Sequence, residues 1–242
     1  KIDMKKLGTV IRYECITSFP YIWYFYGVQC MIVTFIYAVM VMIAGSDKVG
    51  VSCFEFNTMV YVGILGILGY NEDFKMMIQN GFIRKYIFWA TVIMFLFISS
   101  VMGLVDTILG NMFHSLLDRY DSFYGSIYGY ENIFFNWAWL VLLYFMICMI
   151  FYFVVLLMNK IEKRGFLYLS ILFAGIVMIG ISLFHYVLSE AAIEKIKEFV
   201  LKAIGVMGDG SVNHLFPILT WFCIAALFGA GSYAVIRRTE LK

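Results

Sequence analysis

Charged residues interrupt this chain rarely, and the stretches between them set its elements. Residues 15–46, 56–71, 86–105, 107–117, 132–159, 165–189 and 210–236 contain no Asp, Glu, Lys or Arg. A membrane-spanning helix needs ~20 mostly apolar residues. Five such stretches are clear. The second, 56–71, is 16 residues long and is extended back through Ser52-Cys53-Phe54, with Glu55 snorkelling at its edge. The stretch 107–117 continues the third span past Asp106. The predicted spans are residues 20–44, 53–70, 86–113, 136–159, 165–188 and 214–236. The predicted class is therefore an all-α, polytopic membrane protein, with six transmembrane helices in one transmembrane domain over residues 1–242.

Charge placement fixes the expected orientation, because cytoplasmic loops collect Lys and Arg. With six spans and both termini inside, 13 of the 18 Lys and Arg fall on the inner side. Omitting the short second span leaves only 8 inside, so it is kept. The acids follow the opposite trend, and the inner face is expected to carry about +7 against −4 outside.

The polar pattern between spans predicts three non-spanning helices. In residues 1–19, Met4, Leu7, Val10 and Ile11 share one helical face, while Lys5, Lys6 and Arg12 lie mostly elsewhere. This is a basic amphipathic helix, expected to lie on the cytoplasmic leaflet before the chain turns at Pro20. Residues 71–82 form a short helix that Asn71 caps and Asn80-Gly81 ends, with Glu72 and Asp73 at the positive end of its dipole. Its apolar tip, Phe74, Met77 and Ile78, is expected to be exposed and to want a partner groove. Residues 189–210 place Ala192, Ile193, Ile196, Phe199, Val200 and Ala203 on one face and Glu190, Glu194, Lys197 and Glu198 on the other. Glu198 and Lys202 form a favourable i,i+4 pair there.

Composition sharpens the class. Hydrophobic residues make up 63% of the 242 residues and charged residues 14%, against ~45–50% and ~25% in average soluble domains. That excludes a soluble globular domain, a disordered chain and a nucleic-acid-binding protein. The net charge of +2 names no partner. The five cysteines show no metal-ligand spacing and read as buried free thiols. The first apolar run is too long for a cleavable signal peptide.

Candidate chemistry is sparse. There is no phosphate-binding G-x-x-x-x-G-K-[ST] loop, no H-E-x-x-H metal site and no G-x-S-x-G elbow, so the chain reads as no enzyme. Asp106 is the one acid within a span. An intramembrane carboxylate is functional by default, although its place in the outer third of the helix also allows it to snorkel. His114, His185 and His214 lie near the outer face with no common spacing. Tyr120, Tyr124, Tyr128 and Tyr130 read as an interfacial aromatic belt. Gly63, Gly66 and Gly69, like Ala225, Ala226, Gly229 and Ala230, permit close helix approach.

The order of these parts, with Asn80-Gly81-Phe82-Ile83-Arg84-Lys85 before the third span and Arg237-Arg238-Thr239-Glu240 at the close, resembles the permease subunit of an ABC-2 type (type V) ABC transporter. The resemblance implies a permease that binds no cofactor itself and works with a separate ABC ATPase carrying ATP and Mg. A second permease subunit, identical or homologous, and membrane lipid complete the expected partners, with no nucleic acid. Residues 1–19 would be the elbow helix. Residues 71–82 would be the coupling helix, with Glu72, Asp73, Phe74, Lys75, Met77, Ile78, Gly81, Arg84 and Lys85 meeting or anchoring the ATPase contact. Asn57, Tyr61 and Tyr70 would line the pathway together with Asp106. Residues 189–210 would match the outer re-entrant helices, with Ile196, Phe199 and Val200 as gate residues. The implied location is a bacterial cytoplasmic membrane, with both termini cytoplasmic. The few polar groups within the spans favour export of an amphipathic peptide, toxin or antibiotic. A secondary transporter or channel, or a membrane scaffold subunit, is the alternative; a gradient-driven carrier would have only Asp106 as its ion site.

Overall fold

The computed structural model describes residues 4–44, 51–52, 54–69, 74–79, 81–116, 120–161, 165, 168, 171–172, 174–175, 178–179, 182, 189–208 and 211–237. Helices dominate: α1 (Met4–Ala44), α2 (Glu55–Leu68), α3 (Lys75–Gln79), α4 (Arg84–Leu116), α5 (Gly125–Tyr128), α6 (Ile133–Lys160), α7 (Glu190–Ile204) and α8 (Leu215–Arg237). Two short strands, β1 (Val51–Ser52) and β2 (Tyr120–Asp121), pair in parallel, Val51 with Tyr120 and Ser52 with Asp121.

Among the described residues, four helices, α1, α4, α6 and α8, are long and apolar enough to cross a membrane. Their outer surfaces agree with that reading. Phe35 is 69% exposed and Met42 86%, positions that water would penalise and lipid accepts. Helix α2 covers 14 residues, about 21 Å at 1.5 Å per residue, short of a ~30 Å hydrocarbon core. The expected span 165–188 lies largely outside the described residues.

Helix α6 is the hub, packing against α2, α4 and α8, while α4 also carries α1. Leu140, Tyr144, Cys148, Tyr152 and Leu156 are buried along its i, i+4 row. On α4 the matching buried row is Met94, Ile98, Met102, Asp106 and Gly110. Rows at this spacing interdigitate as ridges in grooves. Small residues bring the backbones close: a Cβ on Gly66 would lie 2.6 Å from the Cys148 carbonyl oxygen, and one on Gly103 would lie 3.2 Å from the Val141 nitrogen.

Two sequence expectations change here. The chain does not turn at Pro20, because α1 is one helix from Met4 to Ala44 with Pro20 inside it. Proline removes one N–H and crowds the carbonyl four residues before it, but helices in membranes accommodate the loss locally. Glu55 does not snorkel. It is 1% exposed, and its Oε1 accepts the Phe123 N–H at 3.2 Å, because the 120–130 segment folds over the start of α2.

The two ends of the bundle differ. At the basic end, Arg84 at the start of α4 donates to the Arg237 carbonyl at the end of α8, at 3.2 Å. The opposite end is capped. The β pair joins the α1–α2 and α4–α5 connections, Tyr128 donates to the Ile204 carbonyl, and Thr220 donates to the Ala203 carbonyl at 2.9 Å. Ser189 caps α7, and Gly205 ends it at φ +89. A side chain on Gly205 would meet the Asn213 carbonyl oxygen at 2.3 Å, so both the left-handed backbone and the close return of the chain require glycine.

Candidate functional site

At the basic end, α3 turns back onto the bundle. Phe74 is fully buried and Met77 is 2% exposed. Both belong to the main core, with Ile78 packed against it. Phe82 N–H donates to the Met77 carbonyl at 3.1 Å and Gly81 N–H to that of Ile78 at 2.9 Å. The turn needs Gly81 at φ +78. The expected exposed tip of Phe74, Met77 and Ile78 is therefore corrected. These side chains seat α3 on its own bundle, because the helix is one short turn and its apolar residues reach the α4 base first. The outward surface is instead Met76, Gln79, Ile83 and Lys85. Glu72 and Asp73 lie outside the described residues, as does the side chain of Lys75.

Of the expected pathway residues, Asn57 is exposed and Tyr61 is half-buried. Tyr61 stacks on Phe25 of α1 with ring centroids 4.2 Å apart, and its hydroxyl reaches the Tyr21 carbonyl at 3.4 Å. Tyr70 lies outside the described residues. Asp106 lies on α4. It is 1% exposed, so it does not snorkel. Tyr26 Oη of α1 lies 2.8 Å from its Oδ1, and Tyr144 of α6 donates to its Oδ2. Tyr26 Oη also lies 3.0 Å from the Met102 carbonyl oxygen. Three helices thus meet at one carboxyl. Spacing along the chain could not reveal this, since Tyr26 and Tyr144 are 80 and 38 residues away. The available signal was mid-span tyrosines in a chain with one intramembrane acid.

A groove of about 570 Å³ opens between α4, α6 and α8, walled by Phe88, Trp89, Phe145, Met149, Phe222 and Tyr233, with Lys85 contributing to its lining. Ala225, Ala226, Gly229 and Ala230 also line it. None of Asn57, Tyr61 and Asp106 lines it.

The capped end gathers aromatic residues. Tyr120 and Tyr124 are 1% exposed, so they form a packed lid and not a lipid-facing belt. Tyr124 Oη meets His214 Nδ1 at 2.9 Å, and Phe135 stacks on the same imidazole. His114 stacks on Tyr130 at 3.6 Å. Burial pushes the Tyr124 and Tyr128 hydroxyls up to about 12. On α7, Phe199 is 72% exposed, and Ile196 and Val200 share its outward apolar face. Lys202 reaches Glu198 at 2.8 Å and lowers its carboxyl below the usual range.

At the start of α1, Lys5 and Lys6 lie in the helix and Arg12 is exposed, while Val10 and Ile11 pack toward the core. The four described cysteines, Cys15, Cys30, Cys148 and Cys223, are free thiols. Among the described residues no cluster of His, Cys, Asp and Glu could hold a metal. No protein-family model, curated protein or solved structure matches this chain.

Proposed function

We propose that this chain is the permease subunit of an ATP-driven ABC exporter, moving an amphipathic or hydrophobic substrate such as a peptide, toxin or antibiotic. In this reading it has six spans and both termini on the cytoplasmic side of a bacterial cytoplasmic membrane, and it pairs with a second permease subunit. A separate ATPase supplies the energy.

The observation that supports this reading best is the seating of α3. Phe74 and Met77 pin it to the bundle, and the hydrogen bonds of Gly81 and Phe82 to the Ile78 and Met77 carbonyls close the turn that leads to α4. Arg84 ties the same point to the end of α8. A push on the outward face of Met76 and Gln79 therefore reaches two long helices without slack. Closure of an ATPase pair is a rigid-body motion, and packing against a pinned helix is a direct way to receive it. Residues 1–242 contain no G-x-x-x-x-G-K-[ST] run, which fits a separate ATPase.

Purification from native membranes tests the reading. An ATPase subunit bearing a G-x-x-x-x-G-K-[ST] loop copurifies, and Met76→Asp releases it while the melting temperature stays unchanged. A chain that purifies without an ATPase, and whose transport persists in ATP-depleted vesicles, would overturn the proposal in favour of a gradient-driven carrier.

A further inference from the structure

The hydrogen atoms around Asp106 do not balance if its carboxyl is ionised. Tyr26 Oη carries one hydrogen and lies within bonding distance of two oxygens, Met102 O at 3.0 Å and Asp106 Oδ1 at 2.8 Å. A main-chain carbonyl only accepts, and so does a carboxylate. With Asp106 ionised, the one hydrogen of Tyr26 must be shared between the two oxygens, and neither contact is a full hydrogen bond. A hydrogen on Oδ1 resolves both contacts. Asp106 then donates to Tyr26, Tyr26 donates to the Met102 carbonyl, and Oδ2 still accepts from Tyr144.

The surroundings point the same way. The groups that face Asp106 are Tyr26 and Cys30 from α1, Glu55 and Thr58 from α2, and Tyr144 from α6. Thr58 Oγ1 is buried and makes no hydrogen bond in this structure. Among the described residues no Lys, Arg or His approaches, and the ion pair present is the distant Glu198–Lys202. An uncompensated charge in such a site is far more costly than a neutral acid.

We propose that Asp106 is a proton-binding site, a carboxylic acid kept neutral within the membrane whose bound proton latches α1 to α4 through Tyr26. The proton comes from solvent and returns to it, with no other reactant. Binding completes the chain of donors from Asp106 to Met102. Release leaves a buried charge and one Tyr26 hydrogen shared between two acceptors, so separation of α1 from α4 and proton release are linked.

Infrared spectroscopy on the full chain in lipid vesicles at neutral pH tests it. Aspartate carrying carbon-13 separates this group from Glu55. The expected result is an isotope-shifted carbonyl stretch of a protonated carboxyl that is missing in Asp106→Asn. Asparagine reproduces the neutral acid, its amide donating to Tyr26 and its oxygen accepting from Tyr144. Asp106→Asn therefore keeps the wild-type melting temperature, whereas Asp106→Ala lowers it. An aspartate spectrum with carboxylate bands alone would overturn the proposal. So would an Asn variant as unstable as the Ala variant. If neither variant folds, the isotope-shifted band of the wild type decides.

Discussion

Replacing Gly66 with alanine tests whether α2 and α6 are held together by direct backbone approach. The added methyl would sit 2.6 Å from the Cys148 carbonyl oxygen, 3.0 Å from Phe151 Cβ and 3.2 Å from Cys148 Cα. These atoms are main chain or bound directly to it and cannot rotate away. Ordinary contact begins near 3.4 Å, so the helices must part by about 0.8 Å. A gap of that size forfeits roughly a quarter to a half of the dispersion energy across it, and overpacking costs ~1–3 kcal/mol. Alanine's better helix propensity returns ~1 kcal/mol, leaving Gly66→Ala destabilised by up to ~2 kcal/mol. At Gly63 the nearest atom is Phe151 Cε2 at 3.1 Å, on a ring that can turn, so Gly63→Ala is nearly neutral. At Gly27 no described atom lies within 4 Å, and Gly27→Ala is stabilised by ~1 kcal/mol. Thermal unfolding in detergent, read by the reactivity of the buried Cys148 thiol, orders the three variants. At ~2–4 °C per kcal/mol the extremes separate measurably. If Gly66→Ala melts as high as Gly27→Ala, the close approach is refuted.

Two further outcomes are expected. Phe74→Ala removes a fully buried ring at a cost of ~3–5 kcal/mol, and hydrogen exchange shows the amides of Lys75–Gln79 losing protection while those of α6 keep theirs; unchanged exchange would place Phe74 outside the core. A tyrosinate absorbance titration of wild type minus the Tyr124→Phe, Tyr128→Phe variant shows a step centred at about pH 12. Because the fold raises both values above ~10, the ordinary tyrosine range, it favours the neutral hydroxyls. Their contribution to stability is complete below pH ~10 and is lost as the pH climbs towards 12. A step at pH ~10 would mean that the aromatic lid is open.

The long helices were legible because lipid imposes a simple demand, some twenty residues without charge, and α4, α6 and α8 meet it between Arg84, Lys160 and Arg237. The continuity of α1 was not legible. Pro20 predicts a break from local chemistry, whereas the helix runs through it. Phe74 and Met77 were recognised as an apolar face, but a periodic pattern does not say whether the face meets a partner or its own bundle. For Glu55 and Asp106 the sequence allows exposure, since a carboxyl near a span end ordinarily reaches water. Their burial depends on Phe123, Tyr26 and Tyr144, groups that only the packed bundle brings near.

The length of α1 sets the reach of its motions. Its 41 residues extend about 62 Å, and helices tilt by ~0–40° in a ~30 Å core. Even at the steepest such tilt about 26 residues fill the core, so about 15 stand beyond it. Charge puts the excess at the N-terminal end, which carries Lys5, Lys6, Arg12 and Glu14. With no break at Pro20, any tilt of α1 about the Tyr26 contact with α4 would have to carry Val10 and Ile11, which pack against the core, along with its tip. Its tip at Met4 is ~33 Å from that contact, so a tilt of about 10° sweeps the tip through ~6 Å.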